Sequence, residues 1–164
     1  MLRDFQVNGA KHADAMHKAK TVMVTGMAVV KEDTSANKYA AVTTAETVAD
    51  IFFVEKERVP SGTNAARDVI SDYDPDFVNV AANEFVKMVK YAPGERFGTD
   101  QFDSTDFTNS TALDTRVSFK NGKAQIATAS SVSSPYVFKG LYNDAGHTLI
   151  TIEVSDTAAA NSNS

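Results

Sequence analysis

The chain of 164 residues contains no cysteine and no tryptophan, with only three histidines and four prolines. Absence of cysteine excludes disulfides and thiolate metal sites, and a zinc centre would have to lean on carboxylates. Long apolar runs are also missing. The most apolar early stretch, TVMVTGMAVV from Thr21 to Val30, is broken by Thr25 and Gly26 and is too short to span a bilayer, while the start, MLRDFQVNGA, is too polar for a secretory signal. The sequence holds no G-x-S-x-G, no H-E-x-x-H, no Walker loop and no G-x-G-x-x-G. Net charge is -5, against the grain of a general nucleic-acid binder, whose affinity comes largely from neutralising phosphates. The expectation is a protein that is not an enzyme, with no cofactor, no metal, no nucleic-acid partner and no membrane partner.

What is present is β-patterned. In PYVFKGLYNDAGHTLITIEV, residues 135–154, two strands flank a turn. A loop from Asn143 to His147 would set Tyr142 opposite Thr148, Phe138 opposite Ile152 and Tyr136 opposite Val154, giving one nearly all-apolar face. The other face mixes Val137, Lys139 and Leu141 with Glu153, Thr151 and Leu149, as in a half-exposed antiparallel sheet. Gly140, opposite Ile150 in this register, leaves room for a bend. A lone hairpin is marginal, so this one must join a larger sheet or barrel.

Further strands follow from the same signals. Thr21 to Lys31 and Tyr39 to Val42 read as a hairpin, with Gly26 marking a bulge or a close backbone approach. TTAETVAD suggests a turn of helix, and IFFV (Ile51 to Val54) a buried strand. EFVKMVKY (Glu84 to Tyr91) reads as a strand that turns at Pro93-Gly94 and runs on to Phe102. Residues 103–114 read as a loop. Thr115 to Phe119 and Ala124 to Ala127 flank Asn121-Gly122, the strongest hairpin signal in the chain because both residues tolerate positive φ. Such closely spaced strands specify a mainly β protein, a small antiparallel barrel or sandwich. The expected organisation is an extended N-terminal arm over 1–20, one β-rich domain over 21–154 with two possible lobes (21–91 and 92–154), and a disordered tail over 155–164. Within the arm, ADAMHKAK has the composition of a short helix but is too short to hold one alone.

Charge is unevenly placed: residues 1–31 carry Arg3, Lys11, Lys18, Lys20 and Lys31 against Asp4 and Asp14, so a basic leader precedes an acidic body. The arm is expected to serve attachment rather than folding. The stretch from Glu55 to Asn83, with two prolines and many charges, is a long surface excursion of the kind compact domains keep for interaction. Candidate partner contacts are therefore Arg3, Phe5, Lys11, Lys18 and Lys20 in the arm, and Arg58 and Arg67 in the excursion. Asp72, Asp74 and Asp76 alternate like the start of a calcium loop, but Phe77 and Asn83 occupy the positions that need glycine and a bidentate glutamate. His12 and His17 are five apart and do not share a helix face, and His147 follows a tight turn. Glu95, Arg96 and Asp100 read either as an acid, base and anion-binding cluster or as a charged turn closed by an Arg–carboxylate pair.

The order GMAVVKED, TAETVADIFFVEKERVP, SDYDPDF, FVKMVKYAPGERFGTDQF, VSFKNGKA and YVFKGLYNDAGHTLITIEV resembles the capsid decoration, or cement, proteins of tailed bacteriophages. The likeness spans roughly residues 25–154 and is one of order and texture. It implies a β-tulip-like body on the outside of the viral head, in the virion. It also implies a homo-oligomer, most often a trimer, bound to the major capsid protein and carrying no catalytic residue. Alternatives of similar build are a tail or neck subunit and a small ligand-binding β-barrel.

Overall fold

A computed structural model describes residues 1–7, 12–56, 78–128 and 132–161. Its architecture is a closed barrel packed beside an open sheet. The barrel runs β2 (His12–Ala19), β5 (Lys38–Ala41), β4 (Ala28–Asp33), β6 (Phe52–Glu55) and β8 (Phe85–Lys90). Its pairs are antiparallel except β2 with β5, a parallel seam held through Lys18 opposite Tyr39 and Ala19 opposite Ala40. The open sheet has the order β1 (Leu2–Gln6), β9 (Arg96–Thr99), β13 (His147–Ala159) and β12 (Ser134–Asp144). Two ribbons complete the described residues: β3 (Met23–Val24) with β7 (Asn79–Val80), and β10 (Val117–Lys120) with β11 (Lys123–Ile126).

Alternation along the barrel strands sends side chains into two cores. Ala19, Val29, Ala40, Phe52, Val54, Val86 and Met88, drawn from all five barrel strands, pack with Met23 and Val80 and fill the interior. Their neighbours Ala28, Phe53 and Val89 point outward, against Phe97, Phe119, Tyr136, Phe138, Ile150 and Ile152. The continuous apolar run IFFV is thus buried on both faces, as a strand between two cores must be. Phe53 is the hinge of the second core: its ring centroid lies 4.4 Å from Phe97 and 5.4 Å from Phe119, and Tyr91 stacks on Phe97 at 4.1 Å with 6° between planes. Burial of Tyr91, and the hydrogen bond its hydroxyl donates to Asp4 at 2.7 Å, push its phenol far above the ordinary range.

The 135–154 hairpin has the expected register at its base and a shifted one at its tip. Tyr136 faces Val154 and Phe138 faces Ile152, but Leu141 faces Ile150 and Tyr142 faces Leu149, with Asp144 opposite His147. The turn is two residues, Ala145 and Gly146, both at positive φ. One extra residue on β12 around Gly140, at φ 113°, makes a bulge that absorbs the difference. The other hairpins form where their turn chemistry placed them. Asn121 and Gly122 take φ 52° and 77° between β10 and β11, and β4 pairs with β5. Gly26, at φ 95°, is the close approach its position suggested: a Cβ there would lie 2.4 Å from the Met1 carbonyl oxygen.

Four expectations are corrected. The described residues among 1–20 are not an arm. β1 pairs with β9 from Leu2 opposite Thr99 to Gln6 opposite Arg96, and Met1 is only 1% exposed. Its ammonium donates to the Thr25 carbonyl at 2.7 Å and to Asp100 Oδ1 at 2.5 Å. The short helix suggested for ADAMHKAK is β2, pairing with β8 around a bulge between Asp14 and His17. Few apolar side chains suffice for these strands because neighbouring strands supply the backbone partners. The tail is ordered through Asn161: β13 continues to Ala159, opposite Ser134, and the Asn161 amide accepts from Arg116 N–H at 2.6 Å and donates to the Ala127 carbonyl at 2.9 Å. TTAETVAD forms no helix; Thr47 bridges to Phe119 by two backbone hydrogen bonds of 2.9 Å each.

Candidate interaction surface

The sequence-selected contact residues that are described fall on two surfaces. Arg3 and Phe5 lie on β1, on the outer face of the open sheet. The Arg3 guanidinium donates through Nε to Asp144 Oδ2 at 2.8 Å, reaching across β9 and β13 to the end of β12. Phe5 follows the same path. Its ring covers Gly98, where a Cβ would come within 2.7 Å, and meets Tyr142 edge-on at 5.0 Å. Glycine on β9 makes the lane, and the aromatic fills it. Both rings remain open to solvent, Phe5 at 40% and Tyr142 at 45%. Lower on the same sheet, Arg96 pairs with Glu153, and Lys139 joins Glu153 at 3.6 Å and Asp114 at 2.6 Å.

Lys18 and Lys20 lie on the barrel instead. The Lys18 ammonium sits 5.2 Å from the centre of the Phe85 ring, and Lys20 Nζ donates to both oxygens of Glu32 at 2.6 and 2.7 Å. Phe85, at 63% exposed, and Met16, at 70%, occupy the paired strands β8 and β2. A cleft of about 240 Å³ beside them is lined by Ala15, Glu55, Lys56, Val80, Glu84 and Phe85 among others. Lys11, Arg58 and Arg67, and the Asp72, Asp74 and Asp76 run, lie outside the described residues.

Exposure of Phe85, Met16 and Tyr142 was missed by sequence reasoning. Phe85 alternates in phase with Val89, but Val89 is covered by the second core and Phe85 lies beyond its edge. Tyr142 belonged to the apolar face only in the register that the Gly140 bulge displaces.

Glu95, Arg96 and Asp100 are not brought together as a chemical cluster. The Glu95 carboxylate accepts the Ala92 N–H at 2.7 Å and is buried, Arg96 pairs with Glu153, and Asp100 receives the Met1 ammonium. Nor is Arg96 closing its own turn, since its partner comes from β13. Among the described residues no group of three or more histidine or carboxylate side chains is arranged to hold a metal ion. Glu46 is a structural tie: its carboxylate accepts from the Ser118 hydroxyl and from the Thr128 backbone and hydroxyl at 2.6 to 2.9 Å. Partial burial works against its ionised form, but these hydrogen bonds outweigh it and hold the carboxyl below its usual range.

No family model matches the chain, and no curated protein or solved structure matches it either.

Proposed function

We propose that this is a structural virion protein that binds the exterior of a tailed-phage capsid and reinforces contacts between major capsid protein subunits. The observation that carries the reading is the exposed Phe5–Tyr142 pair beside Arg3 on the outer face of the open sheet. Aromatic and arginine side chains held on a rigid surface suit a protein interface, because they bring contact area without much entropy left to lose. Arg3 and Phe5 were also contact candidates on sequence grounds. The order of segments that resembles decoration proteins supports the same reading, as does the mainly β body.

Attachment in this reading comes from a sheet face, not from a flexible arm. A protein that binds the assembled shell and bridges its subunits raises the free energy of shell opening by linkage, and many copies add. The protein acts as a homo-oligomer, a trimer by resemblance.

The test uses purified undecorated heads and the parent protein, with a Phe5→Ser/Tyr142→Ser variant alongside. The parent is expected in the virion by mass spectrometry and on heads by co-sedimentation, raising the temperature at which they open. The variant should keep its circular dichroism and lose occupancy. A parent protein absent from virions and unable to bind heads would refute the proposal. Binding confined to the tail or neck would replace it with that alternative.

A further inference from the structure

One end of the barrel interior is polar, and a histidine is at its centre. His17, only 2% exposed, has Nδ1 3.2 Å from Asp14 Oδ1 and Nε2 2.7 Å from Asp33 Oδ1. Both neighbours of the ring are carboxylate oxygens, which only accept. An imidazole satisfies both at once only when both nitrogens carry protons. From this geometry we infer that doubly protonated His17 is a latch across the barrel, tying β2 to β4 beside the short parallel β2–β5 seam, and that raising the pH releases it.

The surroundings on every side support the assignment. On β2 the neighbour is Asp14, which also accepts the Met16 N–H at 2.8 Å. From β4 come Asp33 and Lys31, whose ammonium reaches Asp14 Oδ2 at 2.5 Å and lies 4.7 Å from the centre of the Phe52 ring of β6. β5 places Lys38 opposite Asp33 in register. β8 sets apolar Val86 opposite His17 and Met88 opposite Asp14, and its Lys90 turns to Asp50 at 3.2 Å. The two carboxylates that touch His17 therefore have one lysine contact between them, the Lys31–Asp14 pair, and the imidazolium completes the balance. Losing one proton leaves a buried ring's lone pair facing a carboxylate oxygen, although the Asp33 side chain itself is half open to solvent.

The acid side of the window belongs to Asp14. Partial burial disfavours its charged form, but hydrogen bonds from Lys31, the Met16 N–H and His17 hold its carboxyl well below the usual carboxylate range. Stability that depends on ionised Asp14 is thus complete above the unfolded carboxylate value of about 3.9 and fades as pH falls toward the depressed one.

The experiment uses full-length protein with His12→Gln and His147→Gln, so that His17 is the single histidine. Ring ¹⁵N shifts and melting temperature are followed from pH 5 to 9, with and without Asp33→Asn. The expected result is two protonated ring nitrogens at low pH and a melting temperature that drops by about 5 °C as the ring becomes neutral, since a lost charge-assisted hydrogen bond is large on this scale. Asp33→Asn should flatten that drop, because its amide can donate to a neutral ring. A single-proton ring throughout would overturn the inference, as would a flat melting curve or an unchanged slope in Asp33→Asn. If the background does not fold, the same titration on the parent, with the three histidine signals assigned, gives the same readings.

Discussion

Gly26→Ala is the sharpest probe of how the chain start is built into the fold. Gly26 sits at φ 95°, and its N–H donates to the Val54 carbonyl at 2.8 Å while its carbonyl accepts from Thr99 Oγ1 at 3.0 Å. A methyl group at this position would lie 2.4 Å from the Met1 carbonyl oxygen and 2.6 Å from Thr99 Oγ1. Backbone conformation alone costs an alanine about 1–2 kcal/mol at positive φ. The contact adds more, because backbone does not swing aside as a side-chain tip does. Relieving it lifts Met1 from a buried site, where removing a methionine side chain typically costs about 2–5 kcal/mol, and breaks the ammonium contacts with Thr25 and Asp100. The total expected is roughly 3–7 kcal/mol, a severe loss for a single domain. Gly94→Ala is the matched control: φ is 84° there, but no atom lies within 4 Å of the added carbon. It should lose only the conformational part, about 1–2 kcal/mol. Urea unfolding followed by circular dichroism would measure both, read from midpoints at unchanged slope. Equal losses in the two variants would refute the claim that Met1 packs against Gly26.

Phe138→Ser should cost about 3–5 kcal/mol, since it opens a cavity against Phe107 and Ile152 and buries a hydroxyl, while Lys139→Ser should leave the urea midpoint close to the parent's. Similar midpoints for the two would place the β12 register one residue out. Deleting residues 2–18 should abolish the cooperative melting transition, because it removes β1 and nearly all of β2, leaving β8 and β9 with unpaired edges. A truncated protein with the parent's circular dichroism and melting temperature would restore the attachment-only arm.

Much of the fold was determined by the sequence itself wherever the signal is local. Asn121-Gly122 dictates a tight hairpin because both residues accept positive φ, and the run of apolar β-branched and aromatic residues at Ile51 to Val54 demands burial on two sides. The pairing of Tyr136 with Val154 and Phe138 with Ile152 follows from alternation against a single apolar face. Tertiary structure decided what alternation cannot carry. Leu2–Gln6 and His12–Ala19 have too few apolar side chains to announce themselves as strands, and become strands because β9 and β8 offer them open edges. The candidate surface divides the same way. Arg3 and Phe5 could be chosen as contacts from charge and type, but their neighbours Asp144 and Tyr142 are far away in sequence and come within reach only when β12 joins the sheet. The site of His17 is the clearest case: its two carboxylates lie three and sixteen residues away along the chain, and it takes the β2 bulge between Asp14 and His17 and the closure of the barrel to point all three side chains at the same place.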